Sequence, residues 1–126
     1  MTDHLENALL NAVFNGTAYT SPTNTFAALF TSNPGGDAPT TGEVSGGWYA
    51  RQSVAWSTAS GGVVSNEPVV TFPPVTGSEV TVTHLVIYDA VTGGNALFHA
   101  PLTASKTLAV ADSISFAVGA ITVTLQ

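Results

Sequence analysis

Apolar positions at the start of the chain follow a helical spacing. They recur at i, i+4, i+7 and i+8, and the residues are Leu5, Leu9, Ala12 and Val13. This spacing places their side chains on one face of a helix. Because so short a helix is marginal in water unless that face is covered, we expect it to pack on the protein's own sheet or on a neighbouring molecule. Leu5, Leu9 and Val13 are therefore candidate interface residues.

Polar residues mark both ends of the predicted helix. Asp3, followed three residues later by Glu6, indicates an N-cap with a capping box in which Asp replaces the usual Ser or Thr. The dipeptide Asn15-Gly16 indicates a C-terminal stop. We predict a helix over about residues 4–14, within an N-terminal helix or arm of residues 1–16.

From residue 17 onward the pattern is that of short β-strands. Apolar or alternating segments are separated by Gly, Pro and Asn, and those predicted as strands are 25–31, 48–56, 69–72, 79–89, 96–100, 108–110, 113–118 and 120–125. Turn signals at intervals of about 8 to 12 residues are typical of sandwiches. Residues 17–126 are therefore predicted to form a β-sandwich of about eight short antiparallel strands with jelly-roll or Greek-key connections. The whole chain is expected to be one all-β structural domain with a short N-terminal helix.

Two predicted strands alternate along their length. In 48–56 one face carries Trp48, Ala50, Gln52, Val54 and Trp56, and the other carries Tyr49, Arg51, Ser53 and Ala55. In 79–89 the residues expected to share a face are Val80, Val82, His84, Val86 and Tyr88. A glycine-rich turn at 92–95 then leads into 96–100 as the second arm of a hairpin.

Charged side chains are scarce. They make up 8% of the 126 residues, and eight acidic residues against two basic ones, Arg51 and Lys106, give a net charge of −6. Binding to nucleic acid or to an anionic membrane needs clustered Lys and Arg, so neither is expected as a partner. The polar surface must consist of Thr, Ser, Asn and Gly, which suits contact with other proteins better than it suits a lone monomer.

The chain also has no cysteine, which removes disulfides and thiolate chemistry. Its N-terminus has neither the basic nor the apolar stretch of a signal peptide, and no apolar run is long enough to cross a bilayer. We therefore expect a soluble protein that is made in the cytoplasm.

The few ionisable residues form no recognisable catalytic constellation. His84 and His99 lie on the two arms of the predicted hairpin, with Asp89 near its turn, but a zinc site needs at least three ligands that converge from rigid elements, and histidines fifteen residues apart on a hairpin need not share a face. No Gly-x-Ser-x-Gly elbow is present, and the glycine pairs open no helix that could cradle a phosphate. We predict no catalytic, cofactor-binding or metal site and no small-molecule substrate. The protein is accordingly expected not to be an enzyme.

Residues 32–47 are rich in Gly and Pro and lack periodicity, which predicts a long irregular loop. One alternative stays open there, namely calcium held by Asp37 and Glu43, although their spacing matches no defined calcium-binding loop.

Arg51 and the aromatic residues around it each admit two interpretations. Arg51 is either partly buried and bridged to a carboxylate or to loop carbonyls, which we favour, or it anchors an intersubunit contact. Trp48, Tyr49 and Trp56 form either a sugar-binding platform or, more commonly for such a pattern, a half-buried packing surface. These four residues join the helix face as candidate interface residues.

Several segments resemble a family of small virion proteins from tailed phages and prophages. The opening DHLENALLNAVFNGTAYTSPTNTFAALFTSNP is similar to the family's helix and TAYT.P stretch, and EVSGGWYARQSVAW resembles its EVSGGGYARQ signature. The remainder, from SNEPVVTFPP to ITVTL, resembles its VTFP, VTHFGIFDA, TGGN and KTV segments. The resemblance covers nearly the whole chain. At Ala111-Asp112 the family has Gly-Asp, a departure expected to tighten that turn without altering a site.

Members of this family are described as tail fibre or minor structural proteins, and similar small β-sandwich proteins cement or decorate capsids. The resemblance therefore implies a structural protein of the virion. Our first interpretation is a capsid cement or decoration protein on the outer capsid surface. It would bind the major capsid protein and copies of itself, as a dimer or trimer, and stabilise the shell. The alternative is a tail fibre or tail-tip component that binds a host glycan or adapts a fibre to the tail.

Overall fold

The computed structural model describes residues 1–35 and 41–125. Within these residues the chain forms one helix and eight strands. They are α1 Asp3–Phe14, β1 Thr25–Phe30, β2 Gln52–Val54, β3 Val63–Ser65, β4 Val70–Thr71, β5 Val80–Tyr88, β6 Ala96–Leu108, β7 Ser115–Phe116 and β8 Thr122–Thr124. All of these strands pair in antiparallel fashion. The predicted all-β class with one N-terminal helix is confirmed.

The strands form a four-stranded sheet and two ribbons. The sheet has the order β2-β1-β5-β6, and the ribbons pair β3 with β8 and β4 with β7. The pairs β5–β6, β4–β7 and β3–β8 are nested in the sequence, so the second part of the chain is one long hairpin folded over the core. β1 joins it by pairing with β5, from Phe26↔Tyr88 to Phe30↔His84.

The main core lies between the sheet and the ribbons. It combines side chains of the sheet with side chains of the ribbons and loops, including Ala27, Leu29, Val54, Val70, Phe72, Val75, Ile87, Ile114 and Ile121. A second cluster contains Ala28, Phe30, Val86, Tyr88 and Ala96. Since neighbouring residues of a strand point to opposite faces, this cluster lies on the other face of the sheet. Burial on both faces explains why β1 is a continuous apolar run rather than an alternating one.

The alternation predicted for the long strand is wrong at its middle. β5 places Val82 and Ile87 in the main core, whereas Val86 and Tyr88 belong to the second cluster. The register shifts between Val82 and His84, where β5 carries an irregularity of the β-bulge kind. One extra residue in a strand moves every side chain beyond it to the opposite face of the sheet. A strict alternation of faces therefore mispredicts the residues after the bulge.

Two predicted strand boundaries are also wrong. The segment 48–56 is a strand only over Gln52–Val54, because it is preceded by a turn in which the Tyr49 N–H donates to Gly46 O at 3.1 Å. The segment 96–100 and Leu108, the first residue of the segment 108–110, belong instead to one strand, β6. Pro101 lies within β6 without interrupting it, because β6 is an edge strand of its sheet and an absent N–H is tolerated there.

The helix has a different N-cap from the one predicted. Thr2, not Asp3, is the N-cap, and its Oγ1 accepts a hydrogen bond from the Leu5 N–H at 3.5 Å. Thr2 is held in this position by the edge of β6, since its N–H donates to Leu97 O at 2.9 Å and its hydroxyl donates to Ala96 O at 2.6 Å. A tertiary contact therefore selects where the helix begins.

Ala111 has a backbone conformation that favours glycine. Its φ is 78°, and no other non-glycine residue of the described ranges has a positive φ. Hydrogen bonds hold the turn: the Ala111 N–H donates to Val75 O at 2.8 Å, and the Asp112 carboxylate accepts from the Ala109 N–H at 3.0 Å. The turn expected at Ala111-Asp112 is therefore present, with its first residue under strain.

Replacing Ala111 with glycine is expected to stabilise the protein. Removal of Cβ relieves about 1 kcal/mol or more of left-handed strain, and the greater freedom of the unfolded chain offsets about half of this. Urea denaturation of Ala111→Gly should show a free energy of unfolding about 0.5 kcal/mol higher than that of the unsubstituted chain. The control Ala104→Gly, in the exposed part of β6, should instead lower it. An equal decrease in the free energy of unfolding of the two variants would show that Ala111 is not strained.

Candidate functional site

Arg51 lies at the centre of the most highly connected polar cluster of the described residues. Its Nε donates to Glu43 Oε2 at 2.9 Å and its Nη2 donates to Glu43 Oε1 at 2.9 Å, which is a bidentate ion pair. Its Nη1 donates to Ala90 O at 2.9 Å and to Gly93 O at 2.8 Å. The side chain is 7% exposed, so the guanidinium is largely withdrawn from solvent.

Two tyrosines complete the cluster. The Tyr49 hydroxyl donates to Glu43 Oε2 at 2.6 Å and accepts from the Leu29 N–H of β1 at 3.1 Å. The Arg51 guanidinium carbon lies 3.6 Å from the centre of the Tyr88 ring, a cation–π contact. The Arg51 cluster, defined as Glu43, Tyr49, Arg51 and Tyr88, therefore joins the segment 43–51 to β1 and to the turn between β5 and β6.

These contacts are those of the first interpretation of Arg51. The prediction of a partly buried Arg bridged to a carboxylate and to loop carbonyls is confirmed, and both kinds of acceptor are present at once. Glu43 was missed as the partner. It pairs with β1 through an isolated bridge to Phe30, and nothing in the local sequence signals this placement.

The same contacts set the ionisation of the cluster. Burial raises the pKa of Glu43, but the hydrogen bonds from Arg51 and Tyr49 and the charge of Arg51 lower it by more, so this pKa lies below its ordinary value. Burial, followed by the hydrogen bond to Glu43, raises the pKa of Tyr49 well above its ordinary value. At neutral pH the cluster therefore holds an ionised Glu43 and a neutral Tyr49.

The contribution of Glu43 to stability is expected to disappear at acid pH. Because folding lowers its pKa, this contribution is complete above the unfolded pKa of about 4.3 and is lost as the pH falls through the lower, folded pKa. Urea denaturation followed from about pH 7 to pH 3 should show a shallower loss of stability for Glu43→Gln than for the unsubstituted chain. Glu79→Gln, which removes an exposed carboxylate, is the matched control. A slope unchanged by Glu43→Gln would refute the assignment.

The aromatic residues near Arg51 are packing residues. Trp48 is 9% exposed, and its ring meets the Tyr49 ring edge-on with 5.8 Å between the ring centres. The Tyr49 ring stacks on the Phe72 ring with 6.2 Å between the ring centres. Trp56 is half-buried, and its Nε1 donates to Thr25 Oγ1 at 2.7 Å. Trp48 and Tyr49 both pack against the main core, so the strand faces predicted for them are wrong, while the packing interpretation is confirmed.

The histidines and acids of the hairpin also have local roles. His99 pairs with Val86 and His84 pairs with Pro101, which puts the two imidazoles on one face, and His84 Nδ1 hydrogen-bonds Thr83 Oγ1 at 2.8 Å. Burial, then the N-terminal ammonium and His84, lowers the pKa of His99. Within residues 1–35 and 41–125 no group of three or more His, Asp or Glu side chains is arranged to hold a metal ion. Asp37, one half of the calcium alternative, lies outside the described residues.

Asp89 closes the hairpin turn. Its Oδ1 accepts from the Asn95 N–H at 2.7 Å, and its Oδ2 accepts from Asn95 Nδ2 at 3.1 Å. Asp89 thus holds the turn between β5 and β6. Asp112 holds the turn after β6 in the same way.

The helix face predicted as an interface is divided between the protein and the solvent. Leu5 is buried and Leu9 is half-buried beside an apolar groove of about 700 Å³ that Trp56 and Leu125 also line. Val13 points away and is 72% exposed. Two exposed residues, Leu10 at 55% and Phe14 at 76%, were missed, although their i, i+4 spacing already indicates a second apolar side of the helix.

No helix among the described residues combines the length and the apolar character needed to span a membrane.

Comparison with known proteins places the chain in a family. No curated protein matches it. A family model described as "Podophage GP4 fiber I protein gp80" matches residues 1–124, a range that includes α1 and all eight described strands. The resemblance to a tailed-phage virion family, noted above from sequence segments, is confirmed by this match. The chain belongs to the podophage GP4 fiber I protein gp80 family, a family of phage virion fibre proteins.

Proposed function

We propose that the chain is a non-enzymatic structural component of a tailed-phage fibre, which acts by binding other virion proteins. The observation that carries this proposal is the family match over residues 1–124, because the description of that family names a fibre protein. Because Trp48 belongs to the core and Tyr49 packs against it, we assign the chain to fibre assembly rather than to glycan binding.

The roles of the ionisable side chains support a structural function. Glu43 and Arg51 neutralise each other inside the Arg51 cluster, and Asp89 and Asp112 hold turns through backbone N–H groups. A general acid, base or nucleophile must be able to reach a substrate, whereas these groups are engaged with the protein itself. They serve to hold loops on a sandwich.

The surface supports binding to proteins. Several large apolar side chains are about half exposed or more, among them Leu10, Val13, Phe14, Val69, Val91, Val110, Val118 and Leu125. Only 8% of the residues are charged, so the chain has few charged side chains to keep a protein with this apolar surface soluble by itself. Contacts with neighbouring virion proteins would cover part of it.

A capsid cement protein is the second candidate. In that role the chain would bind the major capsid protein and copies of itself on the outer capsid surface and stabilise the shell. The small sandwich with sparse charge suits this role as well as the first, and the family description favours the fibre.

Location and copy number on the virion distinguish the two. Virions of the phage that encodes the chain would be imaged by cryo-electron microscopy, and the protein would be quantified on gels against the major capsid protein. We expect a small number of copies at the tail. Hundreds of copies spread over the capsid would establish the cement role instead, and absence from purified virions would refute both.

The non-enzymatic assignment has a separate test. Purified protein would be incubated with polysaccharide and ester substrates, and we expect no hydrolysis. Hydrolysis that is lost in His84→Ala or Asp89→Asn would overturn it.

A further inference from the structure

The two histidines of the long hairpin are neighbours on one face of the four-stranded sheet. His84 on β5 is opposite Pro101 on β6, and His99 on β6 is opposite Val86 on β5. The register is unbroken between these two pairs, so all four side chains point to the same face. The imidazoles are therefore diagonal neighbours across the strand pair, with their Cβ atoms roughly 7 Å apart.

This spacing suits a metal ion held between the two rings. The nitrogen ligands of a zinc ion lie about 2 Å from the metal and hence roughly 3 Å from each other. Two imidazoles that lean towards each other from Cβ atoms ~7 Å apart can bring one nitrogen of each ring to that separation. Because the rings extend from paired strands, the sheet fixes the positions of their Cβ atoms before an ion binds.

Thr83 orients the first of these rings. Its Oγ1 lies 2.8 Å from His84 Nδ1, and the bond forms where the register of β5 shifts, between Val82 and His84. A hydroxyl can accept this bond from Nδ1–H, and in that tautomer the lone pair of His84 is on Nε2. Histidines that bind metals hold their second ring nitrogen in a hydrogen bond of this kind. Thr83 is thus a positioning residue for a ligand at His84 Nε2.

An ion can reach the pair from solvent. Both histidines are half-buried rather than enclosed. His99 also lines an open cleft of about 410 Å³ between α1, β6 and β8. Met1 and Glu6 line the same cleft, so the carboxylate of Glu6 offsets the charge of the N-terminal ammonium there. The net charge of −6 makes the chain as a whole attractive to cations.

We propose that His84 and His99 together bind a first-row divalent transition-metal ion, with water in its remaining positions. Imidazole nitrogen suits Zn²⁺, Ni²⁺ and Cu²⁺, whereas Mg²⁺ and Ca²⁺ prefer oxygen. Within the described ranges no third His, Asp or Glu is arranged with the pair, so this is an open site, weaker than a closed zinc site. The ion links β5 to β6 beside the register shift that interrupts their pairing. The proposal does not depend on the fibre role.

Calorimetric titration with Zn²⁺ tests the proposal, with the full chain prepared without a histidine tag and kept at neutral pH. The unsubstituted chain should bind one Zn²⁺ per chain, and Mg²⁺ should not bind at this site. His84→Gln and His99→Gln each remove one ligand, and each should weaken Zn²⁺ binding at least about tenfold. His4→Gln changes the third histidine of the chain and is the matched control, which should bind Zn²⁺ like the unsubstituted chain.

Long-range ¹H–¹⁵N NMR spectra identify the nitrogens that bind. Zn²⁺ should shift the Nε2 resonance of His84 and a ring-nitrogen resonance of His99, and should leave those of His4 in place. Thr83→Val should weaken binding about tenfold and change the tautomer of His84, whereas Thr83→Ser, which keeps the hydroxyl, should restore both. Zn²⁺ should also raise the Tm of the unsubstituted chain but not that of His84→Gln/His99→Gln. Circular dichroism verifies that each variant is folded.

Three results would overturn the proposal. The first is a lack of Zn²⁺ binding by the unsubstituted chain. The second is undiminished binding by the folded double variant His84→Gln/His99→Gln. The third is half an equivalent of Zn²⁺ per chain together with dimers in analytical ultracentrifugation, which would assign the ion to two copies and not to an open site on one. Each of them leaves the fibre role intact, because that role is tested on virions.

Discussion

Replacing Arg51 with alanine is expected to lower the free energy of unfolding by about 3 kcal/mol, as measured by urea denaturation at neutral pH. The substitution leaves the Glu43 carboxylate without its bidentate partner and leaves Ala90 O and Gly93 O without their donors. Removing one member of a partly buried ion pair costs more than the pair contributes, because the remaining charge is incompletely solvated. Tyr88 also loses the cation above its ring.

The other cation of the chain supplies the control. Lys106 is exposed on β6, and Lys106→Ala should change the free energy of unfolding by no more than about 0.5 kcal/mol. Arg51→Lys keeps the charge but not the planar fork that reaches Glu43 and both carbonyls, so it should recover only part of the loss. If Arg51→Ala were as stable as Lys106→Ala, the cluster would not hold the loop.

Replacing Asn66 with alanine is expected to lower the free energy of unfolding by about 3 kcal/mol, as for Arg51→Ala. Asn66 is fully buried, and its side chain makes three hydrogen bonds to the backbone: Nδ2 donates to Pro68 O at 2.9 Å and to Ala117 O at 3.0 Å, and Oδ1 accepts from the Ile121 N–H at 2.8 Å. These bonds join the end of β3 to the turn before β8. Alanine would leave all three backbone groups without this partner.

Two variants sharpen the test of Asn66. Asn66→Asp keeps the acceptor for Ile121 but loses both donors and buries a carboxylate, so it should be at least as unstable at neutral pH and should recover some stability at acid pH. Asn7→Ala, at an exposed position of α1, should lose nothing. A free energy of unfolding for Asn66→Ala within about 1 kcal/mol of the unsubstituted chain would show that water replaces these bonds.

Local patterns predicted most elements of this fold, but they missed β3, Val63–Ser65, and did not give all the limits of the others. The helix stop at Asn15-Gly16 is confirmed, with Asn15 as C-cap and Gly16 at a φ of 66°. A glycine conformation of this kind depends on neighbouring atoms only, so sequence reveals it. The N-cap was assigned one residue too late because Thr2 takes its conformation from a bond to Leu97, 95 residues away.

In the candidate site, too, the sequence reveals what depends on neighbouring residues and not what depends on distant ones. The sequence singles out Arg51 because it is one of two cations and lies within a predicted strand, and the kind of partner was inferred correctly. Its identity was not, since Ala90 and Gly93 lie 39 and 42 residues further along the chain. Asn66 was not selected at all, because a single Asn between two predicted strands resembles an ordinary turn residue.

By itself the sequence determined the class of this protein: an all-β chain with one N-terminal helix, poor in charge and belonging to a phage virion family. The fold class and the scarcity of charge follow from periodicity, turn residues and composition, which act over a few residues or over the chain as a whole. The family follows instead from the resemblance of segments along nearly the whole chain. Only the tertiary structure decided which side chains face the core beyond the bulge in β5, which carboxylate neutralises Arg51 and which side of α1 is left exposed. Each of these depends on contacts between segments far apart in the chain, where one shifted residue in a strand or one backbone carbonyl changes the result.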